Sequence, residues 1–490
     1  MTQSGMNPSP QPMNRTCRIA LGALLLILLV GCTVGPNYKR PQVPIAPAFR
    51  GADGAEVAPS PTSSDSSPSS GPASLGDQNW GEVFREPELQ DLIRTALTRN
   101  YDVRIAAERV LEQQAQVRIT RSQQFPTLAV GGTGIGAELP DSLSSALGGT
   151  NLYAGSFNLS SAWTPDFWGL YRRQTEAARA QLLAQVWAQR AVRMTLVEQV
   201  AAGYIQLRAL DRQLAITRQT VQIRQQSVDL TRRLADGGSA PLSDLRQAEE
   251  LEYTATAQIP QLEQQIQQQE NALRLLLGEN PGPVAHTSDS ALAPPPQNLP
   301  VGLPSRLLER RPDILEAEQQ LVAANAQIGV ARAQFFPQLS ISASGGVGGD
   351  QWSNLFDPGG HTIYGLGTLA QPIFEGGKLR GQLQLTERQK EEMVLNYQKT
   401  IAGAFRDVSD ALIALDKQRA AREQQTLLVA AAEDATRLAR TRYQGGATSY
   451  LEVLTTDSNL FSAQLNLVNA QEGEALSLVQ LYGALGGGWQ

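Results

Sequence analysis

Residues 102–128 are written a second time at 313–339. The two segments align without a gap at an offset of 211. Identical pairs are Asp102/Asp313, Ala106/Ala317, Ala115/Ala326, Gln116/Gln327, Arg121/Arg332, Gln123/Gln334, Phe125/Phe336, Pro126/Pro337 and Leu128/Leu339. Pro165-Asp166-Phe167-Trp168-Gly169 recurs as Pro372-Ile373-Phe374-Glu375-Gly376 at offset 207, and Gly237-Gly238 as Gly445-Gly446 at offset 208. Three segments in one order at nearly one spacing make the body a tandem duplication. A unit of about 208 residues is far longer than a solenoid repeat.

Each copy reads helix, strand, strand, long helix, helix. In 153–163, Tyr153, Gly155, Phe157, Leu159, Ser161 and Trp163 alternate with Ala154, Ser156, Asn158, Ser160 and Ala162. In 338–347, Leu339, Ile341, Ala343 and Val347 alternate with Ser340, Ser342 and Ser344. Period two, with one apolar and one small polar face, marks a half-wet strand. A length near ten residues suits a tilted membrane-barrel strand. The partners, around 127–136 and 364–371, alternate less cleanly. Aromatic residues crowd the strand ends: Phe125, Trp163, Phe167, Trp168, Tyr171, Trp352, Phe356 and Phe374. They fit interfacial girdles, or equally the core of a sandwich.

Two strands per copy give four per chain, and four strands cannot close. Open edges are not viable in lipid, so membrane-spanning strands would have to be shared between chains. Two chains give eight strands and three give twelve. Eight leaves a filled interior, and a conduit therefore favours three.

The helices are long. Residues 172–236 contain no Pro and one interior Gly, Gly203, and span ~97 Å at about 1.5 Å per residue. Val200, Leu207, Leu214, Val221 and Val228 fall seven apart, as do Val394, Ile401, Val408 and Leu415. A sustained seven-residue period implies left-handed coiled-coil packing. Gly237-Gly238 and Gly445-Gly446 end the long helices, and 242–277 and 450–482 return antiparallel. Together with what the family resemblance given below implies, the expected fold is an α+β membrane protein: a long antiparallel α-helical coiled-coil barrel joined to a shared transmembrane β-barrel, with four strands per chain and twelve in a trimer.

The first residues have a different purpose. Arg15 and Arg18 precede the apolar run 19–30, which ends in Leu29-Val30-Gly31-Cys32. A basic region, a short apolar stretch and small residues before a cut describe a secretory signal over 1–31. The last four residues resemble a bacterial lipobox, which implies a covalent diacylglycerol and an acyl chain on Cys32. Thr33 stands where an Asp would favour inner-membrane retention, so the resemblance implies the outer membrane. Each buried methylene of such a lipid contributes about 0.8 kcal/mol. Loss of Arg15 and Arg18 takes the formal charge of −6 to −8, and Cys17 leaves with the signal. Residues 32–79 read as a lipidated strap followed by a Ser/Pro-rich tether at 51–76, whose composition cannot offset its chain entropy. Repeat unit 1 then runs 80–300, repeat unit 2 runs 301–485, and 486–490 form a short tail.

Little here supports catalysis. Two His and two Cys in 490 residues nearly exclude imidazole–thiolate metal sites and make a His-assisted nucleophile improbable. Gly132-Thr133-Gly134-Ile135-Gly136 lacks the last glycine of a dinucleotide fingerprint, and Gly376-Gly377-Lys378 lacks P-loop spacing. His286 and His361 read as solvated loop residues, and the acids of the long helices as mostly a wet face with paired Arg. An acidic chain without basic runs is a poor nucleic-acid binder. No cofactor is expected beyond the lipid on Cys32.

Cys32-Thr33-Val34-Gly35-Pro36-Asn37-Tyr38-Lys39-Arg40-Pro41 resembles the mature start of outer-membrane factor lipoproteins, the NodT-like, drug-efflux branch of the TolC family. Trp80-Gly81-Glu82-Val83-Phe84-Arg85-Glu86-Pro87-Glu88-Leu89 is similar to that family's lead into its first helix, with Glu86 where Asp is more usual. Leu303-Pro304-Ser305-Arg306-Leu307-Leu308-Glu309-Arg310-Arg311-Pro312-Asp313-Ile314 resembles its opening of the second repeat, and Phe167-Trp168-Gly169 and Phe374-Glu375-Gly376-Gly377 its strand-to-helix turns. The resemblance covers 32–485 and implies a homotrimer in outer-membrane lipid. It also implies a periplasmic adaptor and an inner-membrane pump of the resistance-nodulation-division type. The function implied is a passive channel for drugs or other small solutes. A lipid-anchored periplasmic coiled-coil tether or scaffold is the alternative, and it leaves the four amphipathic strands unexplained.

The resemblance also implies a gate just after the glycine turns. Leu451 matches a position that forms a hydrophobic ring in the lipoprotein branch. Tyr443 and Asp244 match a hydrogen-bonded pair that holds the periplasmic mouth shut. Thr448 replaces an Arg that ties neighbouring subunits in some members. Glu452 and Thr455 replace two ring-forming Asp. The alternative is that Leu451 is ordinary helix packing and Asp244 a first-turn acid favoured by the helix dipole.

Overall fold

A computed structural model of the chain describes residues 33–44, 47–51, 74–138, 151–286, 295–296, 299–349, 355 and 358–489. The expected signal at 1–31, Cys32, most of the 51–76 tether, Trp352 and Phe356 lie outside the described residues.

Three helix pairs of the duplication are equal in length. α1 (Pro87–Arg99) leads into α2 (Tyr101–Ser122), β1 (Thr127–Glu138) and β2 (Asn151–Trp163). α3 (Leu170–Asp236) and α4 (Leu242–Leu276) complete the first copy. The second copy is α5 (Pro312–Ala333), β3 (Gln338–Gly349), β4 (His361–Ala370), α6 (Lys378–Gln444) and α7 (Tyr450–Ala484). α2 and α5 each have 22 residues, α3 and α6 each 67, and α4 and α7 each 35. The strand partners extend beyond the sequence reading, β4 beginning at His361 rather than Tyr364. No helix among the described residues is long and apolar enough to cross a membrane.

Two compact units form, and each draws on both repeats. The first contains Leu111–Leu183, Gln319–Leu395 and the described residues 33–41. Its sheet has the order β1-β2-β3-β4, antiparallel throughout. The β2–β3 pairing therefore joins the two repeats, and β1 and β4 are both edges. Register puts Val130 opposite Leu159, Phe157 opposite Val347, Trp163 opposite Ile341 and Leu339 opposite Leu369. Directly opposed residues share a face, so one face is apolar. Thr127, Thr133, Asn158, Ser160, Ser342, Ser344 and Thr368 fall on the other. Ile135, Tyr364 and Leu366 are exceptions on that polar face.

The apolar face is not a core. Val130 is 79% exposed, Ile363 90% and Leu369 72%. A water-soluble sheet would cover these side chains with a second layer.

The strap 33–41 packs within the same unit. Val34 N–H donates to Trp168 O at 3.0 Å, Arg173 reaches Val34 O and Gly35 O at 3.2 Å, and Asn325 Nδ2 donates to Pro36 O at 2.9 Å. Gly35, at φ +106°, lies so close to Gly329 that a side chain at either position would meet backbone.

The second unit contains Gln42–Val110, Ala184–Glu318 and Asn396–Gln490. Its core is the heptad seam: Val200, Leu207, Ile401 and Val408 are all at most 1% exposed. Phe84 and Tyr482 pack edge-on at 5.6 Å. Gly203, the lone interior glycine of α3, lets α4 approach, with Leu273 against its Cα and Gln269 Nε2 donating to its carbonyl at 2.9 Å. α4 continues through Pro260.

One sequence reading needs correction here. His286 is not a solvated loop residue. Its side chain is 12% exposed, Nε2 faces the Asp211 carboxylate, and Nδ1 lies 2.7 Å from Val284 O. The connector is pinned at Val284, whose N–H donates to Glu270 Oε1 at 3.0 Å, and this draws the imidazole inward. One acid of these helices lies off the wet face. Glu474 is 1% exposed and held by Arg419 and Arg422. Both arginines lie on the neighbouring α6, and without them the buried carboxylate would stand uncompensated.

Candidate functional site

Two regions carry the residues that the sequence singled out. The first is the pair of turns ending α3 and α6. Each closes by the same chain reversal. Gly238, at φ +74°, donates to Ala235 O at 3.0 Å while Ser239 N–H reaches back to Leu234 O at 2.8 Å. Gly446, at φ +73°, donates to Tyr443 O at 2.9 Å while Ala447 N–H reaches Arg442 O at 2.8 Å. This is the Schellman pattern, and the left-handed residue in it favours glycine. Gly237 and Gly445 are the residues just before, each donating its N–H back into its helix at 3.1 Å.

Past the second turn, Leu451 is 57% exposed and Thr455, one helical turn on, is also exposed. Thr455 Oγ1 donates to Leu451 O at 2.8 Å. Val453 and Leu454, on the other side of α7, are buried in a cluster with Val228, Leu245, Ala248, Ala439 and Tyr450. One face of α7 thus packs while the other offers a bare leucine. Glu452 pairs with Arg442 at 2.8 Å and accepts from Thr448 Oγ1, so its charge is engaged within its own hairpin.

Tyr443 stacks obliquely on Tyr450 with ring centroids 5.0 Å apart. Burial raises the Tyr443 pKa, with the phenol of Tyr450 and the carboxylate of Asp244 adding to it. Asp244 sits in the first turn of α4 and accepts from Ser243 Oγ at 3.3 Å. The structure therefore brings Tyr443 and Asp244 into each other's field, but among the described residues no hydrogen bond joins them.

A nearby tie escaped sequence reading. Asp457 receives Arg224 Nε at 3.0 Å and Arg440 at 3.1 Å, and Arg224 Nη1 also donates to Leu251 O at 2.7 Å. The guanidinium of Arg224 lies over the Phe461 ring at 5.1 Å. This one arginine contacts α4 and α7 from α3. Residues 224 and 457 are remote in sequence and belong to no motif.

The second region is the sheet. Trp163 Nε1 donates to Gln124 O at 3.1 Å, and Trp168 Nε1 to Pro337 O at 2.7 Å. Trp168 stacks on Phe336 at 4.7 Å. Phe167 is half-buried, whereas Phe374 is 89% exposed beside Ile373 at 95%. An apolar body with a tied polar tip is what tryptophans at a water–lipid boundary need.

Among the described residues no cluster of His, Cys, Asp and Glu could hold a metal ion. Residues 92–279 and 303–487 match the family described as Outer membrane efflux protein, one match for each half of the duplication. The chain belongs to that family. It is 36% identical over 476 residues to the "Probable efflux pump outer membrane protein TtgC" of Pseudomonas putida, covering 95% of each chain. It is 35% identical over 474 residues to the "Outer membrane protein OprJ" of Pseudomonas aeruginosa, covering 96% of each. The fold superposes on a solved membrane protein from Pseudomonas aeruginosa with a TM-score of 0.81 at 33% identity, covering 93% of this chain and 100% of that one. The protein is an outer-membrane efflux channel and not an enzyme. Family membership sets aside the scaffold reading that the sequence left open.

Proposed function

We propose that three copies of this chain close one twelve-stranded β-barrel and form the outer-membrane conduit of a tripartite efflux system. The observation that carries this reading is the four-stranded sheet with two unpaired edges, β1 and β4, and an exposed apolar face. Pairing β4 of one copy with β1 of the next satisfies both edges and turns the apolar face to lipid. Three copies leave a lumen lined by Thr, Ser and Asn. Aromatic residues at the strand ends, Trp163, Phe167, Trp168 and Phe374, form the interfacial girdle. Cys32 carries the lipid that holds the strap at the inner leaflet.

The chain holds no energy source, so transport is driven by a periplasmic adaptor and an inner-membrane pump of the resistance-nodulation-division type. The cargo is drug-like or other small organic solutes. The turns at Gly237-Gly238 and Gly445-Gly446 form the periplasmic end. There Leu451 of three chains makes an apolar constriction, with Tyr443, Asp244, Glu452 and Thr455 around it.

The test is the mass of the purified protein in detergent by light scattering, followed by planar-bilayer recording. A trimer that conducts is expected. A conducting monomer, or a stable trimer that inserts and passes no current, overturns the reading.

A further inference from the structure

The sheet-bearing unit contains a trough of about 700 Å³ that the gate and girdle do not use. Its lining comes from α2, α3, α5 and α6 at one helical spacing. α3 contributes Gln174, Ala177, Ala178 and Gln181, and α5 contributes Gln320, Ala323, Ala324 and Gln327. Both are the pattern Gln-x-x-Ala-Ala-x-x-Gln, which puts all four side chains on one helix face. α2 adds Gln113, Gln116, Thr120 and Gln123, and α6 adds Gln389, Glu392 and Met393. Ala177 and Ala323, each 3% exposed, close the floor, and amides form the walls.

The trough has a definite side. The turn that ends α2 touches α3 where Gln124 Nε2 donates to Thr175 Oγ1 at 2.6 Å, α3 touches α5 where Arg173 covers Gly329, and α5 touches α6 through Arg332 and Glu387 at 3.2 Å. The helices therefore stand in a row in the same order as the strands they join. A single cavity that reaches all four members of a row lies on its concave face. The strap gives an independent bearing. Asn325 and Gly329 hold the strap, and at about 100° per residue they lie roughly 170° around α5 from the amide stripe. A strap that continues to Cys32 and the membrane belongs outside a conduit, so the trough faces inward.

Its chemistry is selective. Arg118, Arg121, Arg179 and Lys390 belong to the same stretches but lie off the lining, which has one charge, Glu392. Two glutamine pairs are repeat mates: Gln116 with Gln327, and Gln181 with Gln389. Each amide offers both donors and an acceptor. We propose that this amide-lined trough is a specificity-determining solute-contact wall of the conduit, taking uncharged hydrogen-bonding organic solutes and discriminating little by charge. A wall that is neutral apart from Glu392 and can donate or accept lets a solute exchange partners along it without a deep binding site to escape from. In a trimer the repeat mates make a ring of twelve amides. This inference rests on the channel reading above.

The experiment uses the full-length protein with Gln116→Cys or Gln327→Cys, whose only other cysteines are Cys17 and Cys32. Each variant is treated in planar bilayers with a sulfonate-bearing methanethiosulfonate. Both are expected to be labelled, with a fall in single-channel conductance and a shift towards cation selectivity, since each label adds a fixed negative charge. The double variant Gln181→Glu with Gln389→Glu is expected to raise the K⁺/Cl⁻ permeability ratio by about twofold or more, as carboxylate rings do in cation channels. Labelling that leaves both conductance and selectivity unchanged puts the trough on the outer wall and overturns the proposal while the channel reading stands. An unlabelled parent trimer that passes no current overturns the channel reading itself, and this inference with it.

Discussion

Arg224 and Asp457 meet at 3.0 Å across two helical hairpins, with side chains 5% and 13% exposed. Asp457 also holds Arg440 at 3.1 Å, but Arg440 is in the same hairpin as Asp457. Only Arg224 crosses. Any motion that separates α3 from α7 must break this pair, and breaking a buried pair from one side costs about 3–5 kcal/mol. Asp457→Asn is therefore expected to weaken closure, seen as higher single-channel conductance and greater leak of bulky antibiotics into cells. Arg224→Met should behave alike, since it leaves the carboxylate with Arg440 alone. Both variants conducting as the parent does, at normal trimer yield, would show that closure does not depend on this tie.

Leu451 and Tyr443 should now be distinguishable. Leu451 is 57% exposed and lies outside the buried cluster of its hairpin, so Leu451→Ala is expected to raise conductance with little change in melting temperature. Tyr443 has no hydrogen bond to Asp244 to lose, so Tyr443→Phe alone should cost less than about 1 kcal/mol and change conductance little. A large opening effect of Tyr443→Phe beside a silent Leu451→Ala would reverse the roles assigned to the two residues.

Most of the fold is legible in the chain because it is written twice. Period-two strands and period-seven helices need only local sequence, and both repeats agree on them. The apolar strand face at Phe157, Leu159 and Ile341 and the seam at Val200, Leu207 and Val408 follow from those periods alone. The glycine turns are legible for a similar reason, since only glycine takes φ near +74° cheaply. What stays hidden depends on pairing between remote positions. Arg224 with Asp457, and His286 with Asp211, look like surface charges until helix packing sets which acid faces which base. The trough lies between these extremes. Its Gln-x-x-Ala-Ala-x-x-Gln stripe is readable, but its side is not, because that requires knowing where the strap lies.

The anchor can be tested apart from the barrel. Leu29-Val30-Gly31-Cys32 motivates the assignment. Cys32→Ser is expected to abolish incorporation of radiolabelled palmitate while leaving some outer-membrane trimer, because the exposed apolar strand face supplies its own membrane affinity. Palmitate labelling of the Ser variant would remove Cys32 as the acylation site.

Glu198 gives the chain a pH dependence of definite sign. Burial pushes its carboxyl from 4.5 up to about 7. Arg311 opposes the shift, and the negative charges of Asp313 and Asp407 add to it. The group also lies hard against Gly483, where any side chain would collide with it. Between pH 4.5 and about 7 the folded chain holds a proton that the unfolded chain has released. Stability therefore falls as pH rises through that window, and the penalty is complete above it. Its size is on the order of 3 kcal/mol per chain. Glu198→Gln keeps the shape and removes the charge. It is expected to raise the melting temperature at pH 8, leave it nearly unchanged at pH 4, and flatten the slope between. A variant that melts at the parent's temperature at pH 8, or that is destabilised there, would mean that the folded state accommodates the Glu198 carboxylate without cost.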